Sequence, residues 1–316
     1  MQTLQVALAQ MSPVWLQRQA TTEKIVSFIE QAASKGCDLV TFGEALLPGY
    51  PFWLEWTEGA KFESARQKEF FAHYAESAVV TERGDLDPIC AAAKTGNCMV
   101  VVGTIERATD RGGHSLYCSL VSINKEGEIV SVHRKLMPTY EERLVWSPGD
   151  GHGLRTHRIG QFCIGSLNCW ENWMPLPRAA LYAQGENVHV ASWPGAVRNT
   201  KDITRFIAKE SRSFVISVSG QFAKEDIPAE TPSYDLLMEN CPPTMADGGS
   251  CIAGPDGQWI IEPSVEKDVL LTASLDLQRV FEARQNFDPS GHYSRPDVTT
   301  LQVNRKRRAI VEIEEE

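Results

Sequence analysis

Phe162-Cys-Ile-Gly-Ser-Leu-Asn-Cys-Trp-Glu-Asn-Trp173 opens as a short apolar run around a break at Gly165 and ends in a polar, aromatic turn. The run, Phe162, Cys163, Ile164 and Leu167, reads as a buried strand, and Cys169 falls where that strand stops. Strand ends are where α/β proteins expose reactive side chains. Two other apolar runs finish the same way, Thr41-Phe-Gly-Glu44 on a carboxylate and His133-Arg-Lys135 on an ammonium. A free cysteine alone is more often core packing than chemistry. A thiol, a carboxylate and an ammonium at three strand ends form a hydrolytic constellation.

Working outward, Leu4–Gln10 reads as a strand and Thr21–Ala33 as a helix, with Ile25, Ile29 and Ala32 at helical spacing and Thr21 or Thr22 as its cap. Gly36–Glu44 then completes a β-α-β opening. Leu47-Pro-Gly-Tyr-Pro51 stops regular structure, and Phe52–Ala60 reads as a loop carrying Trp53 and Trp56. Helices are expected over Lys61–Ala78 and Leu86–Thr95, and a strand over Cys98–Gly103. Ser115–Asn124 and Glu128–Arg134 form a hairpin about Lys125-Glu-Gly127.

Met137–Gly153 is a long loop holding Glu142 and Arg143, and loops of that length in compact domains tend to be functional. Beyond the cysteine strand the pattern continues with helix Leu176–Gln184, strand Asn187–Ser192, helix Thr200–Ser213 and strand Phe214–Ser219. Glu225–Thr244 is a polar surface excursion. A hairpin follows around Gly254-Pro-Asp-Gly257, then a strand over Leu270–Asp276. The chain past Arg284 reads as a tail. The class is α/β, with no linker dividing it.

A net charge of −10 argues against a general nucleic-acid surface, and the one basic run, Arg305-Lys-Arg-Arg308, is answered by Glu312 and Glu314 to Glu316. No stretch approaches the ~18 uninterrupted apolar residues of a membrane span, and Met1–Gln5 lacks the basic start and apolar run of a secretory signal. A cytoplasmic protein is expected. Eight cysteines without C-x-x-C pairs and seven histidines without ligand spacing point to reduced thiols and no metal site, and a thiol-based hydrolysis needs no cofactor.

Phe42-Gly-Glu44, Arg134-Lys-Leu-Met-Pro-Thr-Tyr-Glu-Glu-Arg143, Trp146-x-x-Gly-Asp-Gly151 and Cys169-Trp-Glu171, in that order, resemble the pattern of the nitrilase superfamily of carbon-nitrogen hydrolases. Gly291-His-Tyr-Ser-Arg-Pro-Asp297 is similar to a segment near the C-terminus of its nitrilase branch. The resemblance implies an αββα four-layer sandwich, a carbon-nitrogen hydrolase domain over 1–285, and a tail over 286–316 that packs at a subunit interface of a homodimer or larger assembly, extending to spirals or filaments. It makes Cys169 the nucleophile, Glu44 the general base, Lys135 the stabiliser of developing charge and Glu142 a second glutamate near the lysine. Glu141, off the motif, is expected to face solvent. Where many relatives have Pro before the glutamate this chain has Gly43, which loosens that turn.

A thiol of ordinary pKa is only a few per cent thiolate at neutral pH, so attack on a nitrile needs a base within reach. Glu44 would supply it, and Lys135 would meet the charge growing on nitrogen. Trp53, Trp56, Tyr140, Trp170 and Trp193 are expected to line an aromatic pocket suited to aromatic or arylaliphatic nitriles, with a small aliphatic nitrile as the alternative. The nearest alternative is an aliphatic amidase, against which Trp170 after the cysteine argues. A non-catalytic scaffold would have lost an essential residue. A cysteine protease would need His133 or His189 beside the thiol.

Overall fold

The computed structural model describes residues 2–307; the acidic run Glu312 to Glu316 and Arg308 lie outside the described residues. Two six-stranded sheets lie face to face, each covered by helices on its outer side. The first sheet has the order β14-β1-β2-β3-β4-β5, from β1 (Thr3–Gln10), β2 (Leu39–Phe42), β3 (Met99–Arg107), β4 (Leu116–Ile123), β5 (Ile129–Arg134) and β14 (Val269–Asp276). The second has the order β13-β12-β9-β8-β7-β6, from β6 (His157–Ile159), β7 (Phe162–Asn168), β8 (Val188–Trp193), β9 (Phe214–Ser219), β12 (Ser250–Ala253) and β13 (Trp259–Ser264).

Alternation along the strands builds the layers. In β1, Leu4, Val6 and Leu8 meet Phe162, Ile164, Val190 and Ile216 of the other sheet, whereas Ala7 and Ala9 turn outward to Ile25 and Ile29 of α1 (Arg18–Ser34). α4 (Asp87–Gly96) lies beside α1 on that face through Ile89 and Ala93. On the far side α5 (Pro175–Tyr182) and α7 (Ile203–Ser211) cover the second sheet, with Tyr182, Ile203 and Ile207 buried against Ala191 and Val215. The central strands are buried on both faces, which is why they read as near-continuous apolar runs. This is the αββα sandwich that the resemblance implied.

Several expectations are corrected. Thr21 and Thr22 lie inside α1 rather than capping it, their hydroxyls donating to the carbonyls of Val14 and Arg18. The aromatic loop contains a helical turn, α2 (Trp53–Trp56), followed by α3 (Ala65–Ser77) with Ser64 as its cap. Strand β6 is too short and polar to stand out in sequence. Gln278–Arg284 is a helix, α9, placed by Val280 in the inter-sheet core.

The segment 222–247, which carried no motif, is structured. β10 (Gln221–Ala223) pairs with β11 (Thr244–Asp247), α8 (Tyr234–Asn240) lies between them, and Phe222, Ile227 and Leu237 close a third core over Trp15, Trp53 and Tyr74. Nor is the tail wholly free. Arg307 donates to the carbonyl of Val132 at 2.9 Å and lies 3.5 Å from Asp150, while the carbonyl of Arg305 is 3.2 Å from His152. Tyr293, Val298 and Leu301 remain exposed between these anchors and α9.

Gly103 of β3 stands where a Cβ would collide with Gly43 O and would lie 2.7 Å from both Glu44 Cα and Ala45 N. Overpacking of this kind costs about 1–3 kcal/mol. Gly103→Ala should therefore lower stability by that order in urea unfolding, and should reduce any activity that depends on Glu44 more than the lost stability explains. A wild-type denaturation midpoint would show that β3 can move aside.

Candidate active site

Strand direction brings three ends together. β2 and β3 are parallel, and β4 and β5 each reverse, so β5 leaves the first sheet in the same direction as β2. β7 and β8 are parallel in the second sheet. The sheets are tied at this edge, where Glu44 N donates to Trp193 O at 3.0 Å and Ser192 Oγ donates to Phe42 O at 3.1 Å. Gly43 permits the approach, since a Cβ there would lie 2.7 Å from Gly220 N and 2.9 Å from Trp193 O. The glycine tightens this junction rather than loosening it. Glu44, Lys135 and Cys169, each one or two residues past its strand, enter one buried space.

In that space Lys135 Nζ lies 2.7 Å from Glu44 Oε1 and 2.7 Å from Glu142 Oε2. Carboxylate oxygens of Glu44 and Glu142 and the Cys169 sulfur all lie within 4.8 Å of one another. Two carboxylates and a thiolate could ligate a metal, but the ammonium occupies the cation's place between the carboxylates. Glu142 is further fixed by the Thr139 amide at 2.6 Å and by the Tyr50 hydroxyl at 2.9 Å. Arg134, the residue before Lys135, is clamped by Glu106 and Asp110, which anchors the end of β5.

Burial dominates the electrostatics. It pushes the Glu44 carboxyl up to about 7, with Lys135 opposing and Glu142 adding to the rise. Burial works against the Lys135 ammonium, yet Glu44, Cys169 and Glu142 hold it well above its ordinary value. The Cys169 thiol is pushed well above its ordinary range by burial and then by Glu44, while Lys135 opposes. The resting thiol is thus protonated beside a carboxyl poised near neutrality.

Cys169 itself has φ 42°, in the left-handed region, as do Ala45 (51°) and Tyr140 (46°), the residues next to Glu44 and in the turn of Glu142. Strained backbone of this kind persists only where surroundings impose it. Around Cys169 the imposing group is Glu171. Its carboxylate accepts from the Asn168 amide at 2.9 Å and the Leu136 amide at 2.7 Å, and lies 3.0 Å from His133 Nε2. Asn172 Nδ2 donates to Cys169 O at 2.8 Å, and its Oδ1 is 2.7 Å from His189. Burial alone would raise the Glu171 pKa, but His133 and the two amides hold it below its ordinary value.

The profile of the carbon-nitrogen hydrolase family matches residues 5–285. The chain belongs to the carbon-nitrogen hydrolase family. It is 35% identical over 305 residues to a protein named Nitrilase 2 from an unknown prokaryotic organism, covering 96% of this chain and 93% of that one. With an aliphatic nitrilase of Rhodococcus rhodochrous it shares 34% over 324 residues, 98% of this chain and 81% of the relative. A carbon-nitrogen hydrolase of Helicobacter pylori superposes with a TM-score of 0.70 at 19% identity, covering 94% and 96% of the two chains.

This carbon-nitrogen hydrolase brings together Glu44, Lys135, Glu142 and Cys169, but treats the aromatic residues differently. Tyr140 and Trp170 are exposed, at 83% and 53%, on the loops that carry Glu142 and Cys169. Trp53 is a correction: it is wholly buried, stacked on Phe70 at 5.2 Å and edge-on to Tyr74 at 4.8 Å. The helical turn α2 presents Leu54 and Glu55 instead to a cleft of about 760 Å³, which Tyr140, Glu141, Leu144 and Arg198 also line. Trp193 is likewise wholly buried, its Nε1 donating to Ser217 Oγ at 3.3 Å, and acts as packing behind Cys169. Large apolar rings repay burial more than polar loops do, and both indoles found core sites.

Glu141 is half-buried, 3.3 Å from the Tyr50 hydroxyl, rather than solvent-facing. Neither histidine hydrogen-bonds the thiol: His133 is engaged by Glu171, and His189 by Glu186 and Asn172. Sequence reading missed the Glu171 anchor, although the Asn168-x-x-Glu171 spacing of a capping box was visible. Tyr50 and Cys118 gave no signal of their own.

A carboxyl whose folded value rises from 4.5 to about 7 binds its proton more tightly folded than unfolded, so it makes stability fall as pH rises across that window. Glu44→Gln removes the effect. Wild type minus Glu44→Gln stability, from urea titrations, should decline between about pH 5 and about pH 7.5. Parallel curves would mean that Glu44 titrates as an exposed carboxylate.

Proposed function

We propose that this chain is a nitrilase that converts an organic nitrile and two waters to the carboxylic acid and ammonia. The observation that carries this is the Lys135 ammonium 2.7 Å from both Glu44 and Glu142, beside the Cys169 sulfur. The similarity to nitrilases over nearly the full chain supports nitriles over other carbon-nitrogen substrates. Glu44 takes the thiol proton as the sulfur attacks the nitrile carbon, and Lys135 stabilises the charge that grows on nitrogen, which is stronger in the transition state than before it. Glu44 returns the proton to nitrogen, giving a thioimidate.

Water, activated by Glu44, adds to the thioimidate carbon. Loss of ammonia from the tetrahedral intermediate leaves a thioester, and a second water cleaves it to acid and free thiol. Loss of the thiol from the same intermediate would release the amide. Because the resting thiol is protonated, the rate should depend on the unprotonated Glu44 carboxylate. The acid limb of kcat/KM is expected near pH 7, where that carboxyl titrates.

The eight free cysteines support a cytoplasmic setting. Among the described residues, no helix is long and apolar enough to cross a membrane. Assembly into a homodimer or larger oligomer is proposed from the exposed Tyr293, Val298 and Leu301 of the tail.

Cys169→Ala should fold normally and lose turnover of every nitrile in a panel scored for ammonia, acid and amide; activity in a folded Cys169→Ala protein would end the covalent scheme. Lys135→Arg should slow the maximal rate at least ~100-fold, the scale of a lost preorganised charge stabiliser. Near-normal rates there would make the lysine structural. If amides are turned over and nitriles are not, the chain is an amidase.

A further inference from the structure

One buried nucleophilic group has no part in the scheme above. Cys118, in β4, sits on the site side of the first sheet, and its thiol donates to Glu44 Oε1 at 3.4 Å. Its carbonyl accepts from the Lys135 amide at 2.7 Å. One residue therefore touches the side chain of the carboxylate and the backbone of the ammonium. Glu44 Oε1 takes both the Cys118 thiol and Lys135 Nζ, whereas Oε2 is buried without a hydrogen-bond partner. Two donors on one oxygen fix the rotation of a carboxylate and leave the other oxygen open.

We propose that Cys118 is a positioning residue for Glu44: with Lys135 it holds Oε1, so that Oε2 is left as the oxygen that takes the Cys169 proton. The proposal rests on the reading of Glu44 as the base. A thiol suits the task because it is a weak donor. A hydroxyl would hold the carboxylate as firmly but would stabilise its anion more, weakening the base; a methyl would give no hold. Burial and Glu44 push the Cys118 thiol well above its ordinary range, so it stays a neutral donor.

The groups facing Glu44 are Lys135 at the end of β5, Glu142 in the turn 140–144, Cys169 after β7 and Cys118 itself, with Tyr50 reaching Glu142 from the loop after Glu44. All but Cys118 are common to the variants that test the idea. Cys118→Ala, Cys118→Val and Cys118→Ser are compared with wild type by the pH dependence of iodoacetamide alkylation at Cys169, read by mass spectrometry of its peptide. Kinetic constants with a turned-over nitrile are measured alongside. Ala and Val should move the alkylation midpoint to higher pH and lower kcat about tenfold, a fraction of a general base's usual contribution, with KM little changed. Ser should move the midpoint the opposite way and keep most of kcat.

Opposite shifts from two substitutions at one buried position are not a consequence of packing. Wild-type midpoint and kcat in Ala or Val would overturn the proposal, as would a Ser variant that shifts like Ala. Should Ala fail to fold, Val, which fills the position without a donor, and Ser, which keeps one, decide it. Alkylation needs no nitrile, so absence of nitrile turnover in all proteins would count against the nitrilase reading and leave the Cys118 comparison intact.

Discussion

The ammonium of Lys135 between two buried carboxylates is the constraint on which the site depends. Each of the three charges would cost several kcal/mol to bury alone. Together they are nearly self-sufficient, one cation shared by Glu44 and Glu142 at equal distances of 2.7 Å, with one carboxyl shifted to about 7 so that its charge can be given up near neutrality. Removing the lysine would leave two carboxylates and no counter-ion. Removing either carboxylate would free the ammonium to move from the position in which the proposed scheme uses it.

Holding three charged side chains to such distances requires a rigid frame, and the frame is the convergence of two sheets. Glu44 hangs from β2, Lys135 from β5 and Cys169 from β7, and the sheets are fastened to one another at this edge by Glu44 N on Trp193 O. Supports extend outward from there. Arg134 is clamped by Glu106 and Asp110, Glu171 gathers the loops after β5 and β7, and Arg307 reaches back from the tail to the strand that presents Lys135. The left-handed backbone at Cys169 is affordable only because these bonds surround it.

In the proposed scheme, burial makes the thiol at once reactive and protected. An isolated buried cysteine is inert, since burial disfavours its thiolate. Here the same burial raises the carboxylate beside it, so the proton has somewhere to go when an electrophile arrives. Reactivity is then a property of the pair and is expressed at the moment of attack.

The sequence by itself determined most strands and helices of the core, though not β6 or α9, because apolar periodicity is local, and it marked Glu44, Lys135 and Cys169, because each stands where an apolar run stops. With the family pattern it also singled out Glu142. It did not distinguish Trp53 and Trp193, which pack the interior, from Trp170 and Tyr140, which face outward, since one indole looks like another until its neighbours are known. Glu171, Tyr50 and Cys118 act through partners 35, 92 and 74 residues away, and no local pattern encodes such contacts. Only the tertiary structure decided them, because strand direction and sheet packing set which distant atoms come within hydrogen-bonding reach.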